Sequence, residues 1–433
     1  MACNVVILGG GAVGLETARR LVDSRLDAEV TVVDPAGLHV YQPLLPEVAS
    51  GSLEPRHAVV PLRAVLPTAR VIDGEAVSLP EPRTIEVRAR EGPRLEIPFD
   101  HLVVAPGAVT RVMPVPGLVE AAVGFQTVAE TLHLRDRVLE RMQLAEASSD
   151  GARRRRALTF VFVGGGYSGV EAAGELHDMA TAACSQFRGI RPDELRFVLV
   201  EASDAILTMV DGRLRQAAAD NLTGRGIDLR LSTSVEKVDR SMIELSDGDS
   251  IAADTLVWCA GARPTGLAAE LGLPVNDDGA ALVEHTLQVV GHREVWAAGD
   301  GAQVPDLVKG GVCPGSAQYA VRQGRQIARN IERVESGRDP EPFRYRQIGE
   351  MITLGRGAAV GYLGPVHLTG WPAWLLRAAY HVVRFPTFRR KARVAVDWTV
   401  NAVFPREITS LGMTTEPQAP LEIAEEVAES SVG

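Results

Sequence analysis

The chain has 433 residues, 46% hydrophobic and 23% charged, with a net charge of -10. That length and an ordinary globular composition predict roughly two to four domains of about 100–200 residues each. The acidic balance argues against a nucleic-acid partner for the body, and four scattered cysteines (Cys3, Cys184, Cys259, Cys313) with no CxxC pair exclude a disulfide framework or zinc site.

In chain order, Asn4–Leu8 reads as a short buried strand, too short for a secretory signal. Gly9-Gly10-Gly11-Ala12-Val13-Gly14 follows, then helical spacing over Leu15–Asp23 and a strand Val30–Val33 ending in Asp34. The pattern returns later. A strand at Leu158–Val163 leads into Gly164-Gly165-Gly166-Tyr167-Ser168-Gly169, a helix begins at Val170, and a strand Phe197–Val200 ends in Glu201. Two βαβ units of one design make an internal duplication of a nucleotide-binding module. Ala145–Arg156, with its four arginines, reads as a solvated connection between them.

Two stretches, Asp100–Ala108 and Asp254–Ala262, each run from an acid through a strand to a small-residue turn, and Glu294–Ala298 is a strand leading into Gly299-Asp300. A helix is predicted from Ser316 to about Val334. No stretch reaches the roughly 18–20 uninterrupted apolar residues of a membrane span, so the expectation is a cytoplasmic protein, free or attached to a membrane without crossing it.

The glycine turns carry chemistry. A dinucleotide pyrophosphate needs backbone N–H groups aimed at it from a helix N-terminus with no side chain between. Gly9 and Gly164 permit the tight turn, Gly11 and Gly166 let the backbone approach phosphate, and Gly14 and Gly169 let helix pack on strand. Asp34, twenty residues after Gly14, is placed to accept from a ribose diol; Glu201 does the same in the second unit after a longer gap of 32 residues. A carboxylate at Glu201 repels a 2′-phosphate, and Ala202-Ser203-Asp204 offers no arginine to reverse this, so NADH is preferred over NADPH.

On these residues the sequence resembles the two-dinucleotide flavoproteins. The resemblance implies an α/β fold with two Rossmann-like dinucleotide-binding domains, FAD in the first and NADH in the second. Ala105-Pro106-Gly107 and Ala260-Gly261 are similar to that superfamily's two junction motifs, and Gly299-Asp300 to its second FAD signature. Over nearly the whole chain, to about Arg406, the match is to the type II (non-proton-pumping) NADH:quinone oxidoreductases. Tyr41–Gly51, including Gln42, is similar to the stretch beside the flavin ring. Glu171 matches a glutamate near the nicotinamide and quinone sites. Ala317-Gln318-Tyr319-Ala320-Val321-Arg322-Gln323-Gly324 is similar to the quinone-site motif, and Gly349–Arg356 with Gly370–Trp374 completes the set. Arg322 stands where the family usually has glutamine, and Pro35 where a basic residue is common.

The resemblance makes Glu171, Gln318 and Gln323 the expected catalytic residues. Glu171 would handle a proton, or be a carboxylate held at a helix N-terminus; Gln318 would meet a quinone carbonyl, or be a polar residue capping its helix. The helix beginning near Ala317 should aim its positive end at the flavin. His39–Gly51 holds no cysteine, so disulfide reductase and sulfide:quinone reductase chemistry is excluded and no metal is expected. The implied division is an FAD-binding domain of residues 1–119 and 286–335, an NADH-binding domain of 120–285, a small C-terminal membrane-associating domain of 336–410, and a disordered acidic tail of 411–433.

In Trp371–Arg384 the polar Arg377, His381 and Arg384 share one helix face, and apolar residues fill the rest. Phe388–Phe404 opens with Arg389, Arg390, Lys391 and Arg393. From Pro365 to Arg406 there are seven Lys/Arg against one acid, a net of +6 in a protein of -10. Basic amphipathic helices bearing tryptophan suit an anionic membrane surface, here the cytoplasmic face; the same pattern also serves as a core cap or a homodimer interface. The expected activity is therefore NADH to FAD to membrane quinone. Two alternatives use the same modules: a soluble NAD(P)H-dependent flavin reductase with a non-quinone acceptor, and a redox-sensing flavoprotein scaffold.

Overall fold

The computed structural model describes residues 2–385, 387–404, 406 and 408–410. The expected acidic tail, 411–433, lies outside the described residues.

A seven-stranded sheet forms the first body. Its order is Val295–Ala297, His101–Val104, Cys3–Leu8, Ala28–Asp34, Arg70–Glu81, Thr84–Ala89, Arg94–Pro98. The first five strands are parallel and the last two antiparallel. Val5, Val6 and Ile7 are buried, as an apolar run covered on both faces of a parallel sheet must be. Helix Ala12–Val22 packs on helix Ala317–Glu335. A Cβ on Gly324 would stand 2.5 Å from the Val13 carbonyl oxygen, so only glycine lets the two backbones approach this closely. Residues from both ends of the sequence thus share one core.

The second sheet is all parallel: Ala122–Val123, Thr255–Trp258, Thr159–Val163, Arg196–Val200, Ile227–Arg230. Helix Val128–Ala147, started by a Thr127/Glu130 capping box, packs beside helix Tyr167–Ala183. A ribbon of Ala108–Thr110 and Ala262–Pro264 ties the two bodies together just beyond the small-residue turns.

The arginine run is a largely exposed connection, as expected, but a helical one. Gly151–Ala157 is a short helix capped by Asp150, with Arg154 on Glu194 at 2.9 Å and Arg156 on Asp254 at 2.6 Å. Local turn composition hid a helix whose long cationic side chains reach acids distant in sequence.

A three-stranded antiparallel sheet (Gly349–Gly355, Ala358–Leu363, Val366–Thr369) leads into helices Trp371–Arg384 and Phe388–Val403. Its first strand lies on helix Tyr167–Ala183, where a Cβ on Gly174 would meet the Leu354 carbonyl oxygen at 2.3 Å. Helix Trp371–Arg384 is turned inside out relative to an ordinary surface helix. Arg377 and His381 are 2% and 8% exposed, whereas Trp371, Leu375 and Val383 are 61%, 47% and 67% exposed. Among the described residues no helix is long and apolar enough to cross a membrane.

Candidate functional site

The two glycine turns are copies of each other in atomic contacts. Gly9 and Gly164 have φ of +101° and +107°, and a Cβ on either would strike the junction behind it, Ala105 oxygen at 2.3 Å or the Cys259 carbonyl at 2.7 Å. A Cβ on Gly14 or Gly169 would stand 1.9 Å from the carbonyl oxygen of Gly9 or Gly164. Around Gly11 and Gly166, by contrast, nothing lies within 4 Å of where a Cβ would point. Each turn therefore presents free space at a helix N-terminus, the shape a pyrophosphate needs.

The strand-end acids are copies too. Asp34 accepts from Gly10 N–H at 2.8 Å and Ala36 N–H at 2.9 Å; Glu201 accepts from Gly165 N–H at 2.5 Å and Ser203 N–H at 2.7 Å. Both carboxylates are fixed beside their turns with further lone pairs left for a ribose.

Ala105, Gly107 and Gly261 lie in the junction turns, with φ of +78° at Gly107 and +91° at Gly261. Gly299-Asp300 follows the edge strand of the first sheet. Burial raises the Asp300 carboxyl above its ordinary range, and no donor among the described residues bonds it, so it offers two acceptor oxygens at the C-terminal end of the sheet. Ala317 begins the helix after Ser316, the N-cap. Gln42 is exposed in a single 3-10 turn, Gln42–Leu44.

The two expected catalytic glutamines lie on helix Ala317–Glu335, each with its amide engaged by neighbouring groups. Gln323 is 2% exposed and its oxygen accepts from Gly299 N–H at 2.9 Å, so it braces the Asp300 turn. Gln318 has both ends of its amide engaged, its nitrogen donating to Gly349 O at 3.0 Å and its oxygen accepting from Tyr345 O–H at 3.0 Å. Arg322 lies over the Tyr345 ring at 4.1 Å and donates to the Gln318 carbonyl. A cavity of about 400 Å³ opens between the two helix N-termini, with Tyr167, Lys309, Ser316, Glu350 and Tyr362 in its wall.

Glu171 sits in a buried charge cluster. Arg377 bonds Glu47, donates to Pro43 O at 2.9 Å, and lies 3.5 Å from Glu171. Glu171 also accepts from Thr353 N–H at 3.0 Å. Glu175 accepts from Ser50 O–H at 2.7 Å and pairs with Arg406 at 3.3 Å. Three carboxylates thus face two guanidiniums in a largely buried site. Burial pushes the Glu171 carboxyl up to about 7, Arg377 opposes this, and Glu47 adds to it. A carboxyl that titrates near neutrality can both deliver and take a proton. Beside it, burial and the nearby Arg377 and Arg384 hold His381 neutral, and Tyr41 O–H lies 3.0 Å from its Nδ1.

Sequence reasoning missed Glu47, Glu175, Arg377 and Arg406. The signal was present: Glu47 and Glu175 interrupt apolar runs, and an acid in such a run needs a buried partner.

The four cysteines are unpaired, and burial raises the Cys3 and Cys259 thiols to about 12 and Cys313 to about 11. Cys3, His101 and Glu335 cluster at the opposite end of the first sheet. There Trp296 N–H donates to His101 Nδ1 at 3.2 Å, leaving the proton on Nε2 for Glu335 at 3.0 Å, so this is a closed hydrogen-bond chain.

A model of the pyridine nucleotide-disulphide oxidoreductase family matches residues 3–324. The chain is 32% identical to a type II NADH:quinone oxidoreductase, Ndh, of Mycobacterium tuberculosis, covering 93% of this chain and 89% of that protein. It is 30% identical to a demethylphylloquinone reductase, NdbB, of Synechocystis, covering 91% and 95%. Its fold matches NDH2 of Plasmodium falciparum, solved with NADH, at a TM-score of 0.87 and 16% identity, covering 94% of this chain and all of that one.

Proposed function

This chain belongs to the type II NADH:quinone oxidoreductases of the pyridine nucleotide-disulphide oxidoreductase family, and on that premise we propose that it oxidises NADH with bound FAD and reduces a quinone beside Glu171, without pumping protons. FAD supplies the hydride-accepting and electron-donating chemistry. The first glycine turn, Asp34 and Asp300 would hold it, and the second turn with Glu201 would hold NADH. Nothing in the fold or the relatives favours the soluble flavin reductase or the scaffold.

The observation that carries the quinone role is the Glu171 carboxyl, raised to about 7 between Arg377 and the Thr353 amide. Protonated, it donates to a quinone oxygen; Arg377 then stabilises the carboxylate left behind. The acid form is lost as pH rises through 7, so quinone turnover should fall on the alkaline side. Glu171→Gln is expected to cut quinone-linked kcat by about 100-fold and abolish that alkaline limb. NADH–ferricyanide activity should survive, because it needs no proton delivered to the acceptor. An unchanged quinone rate in this variant would remove Glu171 from the mechanism.

Glu201 should set the nicotinamide preference. NADH is expected to exceed NADPH in kcat/KM, and Glu201→Ala to narrow the gap by about tenfold or more, since a carboxylate facing a 2′-phosphate is repulsive. Equal use of both by the unaltered enzyme would place that carboxylate elsewhere.

The inverted helix supports peripheral attachment to a membrane. Its charged face is satisfied inside, leaving Trp371, Leu375 and Val383 to meet lipid. Leu375→Glu with Val383→Glu should weaken co-sedimentation with vesicles while sparing ferricyanide reduction. Loss of a homodimer with no change in vesicle binding would instead make this face a subunit contact.

A further inference from the structure

A surface groove of about 480 Å³ lies between the paired strands Leu38–Val40 and Val59–Pro61 and the first turns of helix Phe388–Val403. Leu38, Val59 and Pro61 form its apolar wall, and Arg56, Arg390 and Arg393 its polar one. It adjoins the first dinucleotide turn, since Leu38 N–H donates to Asp34 at 3.4 Å, but strand alternation turns its side chains to the other face. His39 points inward, its Nδ1 3.0 Å from Gly10 O beneath the first turn, whereas Leu38 points outward into the groove.

The charge here is unbalanced. The acids at the rim are already used: Glu54 pairs with Arg56, and Asp397 bonds His57, also in the wall, and accepts weakly from Glu54 N–H at 3.4 Å. Arg390 donates to Arg56 O at 2.6 Å, and its pKa is lowered by burial and by the crowding of Arg393 and Arg389. Among the described residues no acid pairs with Arg390 or Arg393. Arg390 also stands in the first, positive turn of its helix, which contains no acid. Folding has gathered like charges where each raises the cost of the others, an arrangement an anion relieves. Guanidiniums set in a fork favour an oxyanion with several oxygens. Phe388, 83% exposed and next to this set, and the apolar wall suit a ligand whose anion is attached to hydrocarbon.

We propose that this groove is a discrete site for a phosphate group, filled by the headgroup of an anionic phospholipid. The proposal rests on the membrane reading above and adds a specific seat to a diffuse attraction. A site here would set the depth and rotation of the enzyme on the bilayer, because it lies on the side of helix Phe388–Val403 that contacts the FAD-binding body.

The test uses the full-length, FAD-loaded enzyme and two double variants of equal charge. Arg56→Gln with Arg393→Gln empties the groove wall; Arg389→Gln with Lys391→Gln removes two charges that do not line it. Affinity is measured for phosphatidylcholine vesicles with and without phosphatidylglycerol, and ferricyanide activity verifies the fold. The groove pair is expected to lose about tenfold more affinity for phosphatidylglycerol vesicles than the control pair, with no difference on pure phosphatidylcholine. Equal losses would overturn the groove and leave the membrane reading intact. A wild type that ignores both vesicles would overturn both. Inorganic phosphate is the second arm, read by thermal shift. Saturation at micromolar phosphate that the groove pair abolishes, with no vesicle difference between the pairs, would overturn the lipid as its source.

Discussion

Arg377→Met is expected to lower stability by about 3–5 kcal/mol, a fall in Tm of about 3–6 °C for a chain of this length. The guanidinium is 2% exposed and is the side-chain partner of Glu47, itself 3% exposed with a second oxygen that bonds nothing. Methionine fills similar volume, so the loss is one of charge: Glu47 is left buried without a counter-ion. Two further outcomes separate this from a packing defect. Glu47→Met with Arg377→Met should recover most of the stability, because removing both charges removes the desolvation cost with the attraction. Arg377 also lowers the Glu171 pKa, so in the single variant the alkaline limb of quinone turnover should move above pH 7. Wild-type stability in the single variant would show that the cluster is not held by ionic pairing.

Gly11→Val should yield a folded, colourless protein. At φ of -68° and extended ψ the position accepts any residue, and nothing within 4 Å obstructs a side chain. What valine excludes is whatever occupies the space above the helix N-terminus. FAD content is expected near zero, with the circular dichroism of the apoprotein unchanged. Gly14→Ala makes the contrast, since its Cβ would meet Gly9 oxygen at 1.9 Å and the turn itself must deform. A yellow Gly11→Val protein would overturn the assignment of this turn to FAD.

Both glycine modules were legible because backbone geometry dictated them. Gly9, Gly14, Gly164 and Gly169 each sit where a Cβ cannot, and such positions leave a mark in sequence. The strand-end acids were legible for the same local reason. The charge cluster was legible only as two acids in apolar runs, without their partners. Glu47, Glu171, Glu175, Arg377 and Arg406 come from four distant segments, and no local spacing reports which face of a helix turns inward. Arg377, His381 and Arg384 were correctly placed on one face, yet periodicity gives a face without its direction. An amphipathic helix reads the same whether its polar side meets water or a buried carboxylate. For Gln318 and Gln323 the motif identified the helix, while the hydrogen bonds their side chains make could be read only from the structure.

The strand order of the first sheet has a consequence for biosynthesis. Val295–Ala297 pairs in parallel with His101–Val104, with Trp296 wholly buried, although roughly 190 residues separate the two strands. At about 5–20 residues per second, a ribosome takes on the order of 10–40 s to bridge that gap. Throughout it, His101–Val104 presents an unpaired apolar edge of the kind that recruits other strands. The second sheet meets no such delay, since all its strands lie between Ala122 and Trp258 and emerge before the missing partner is made. The module that begins the chain is therefore the later of the two to mature.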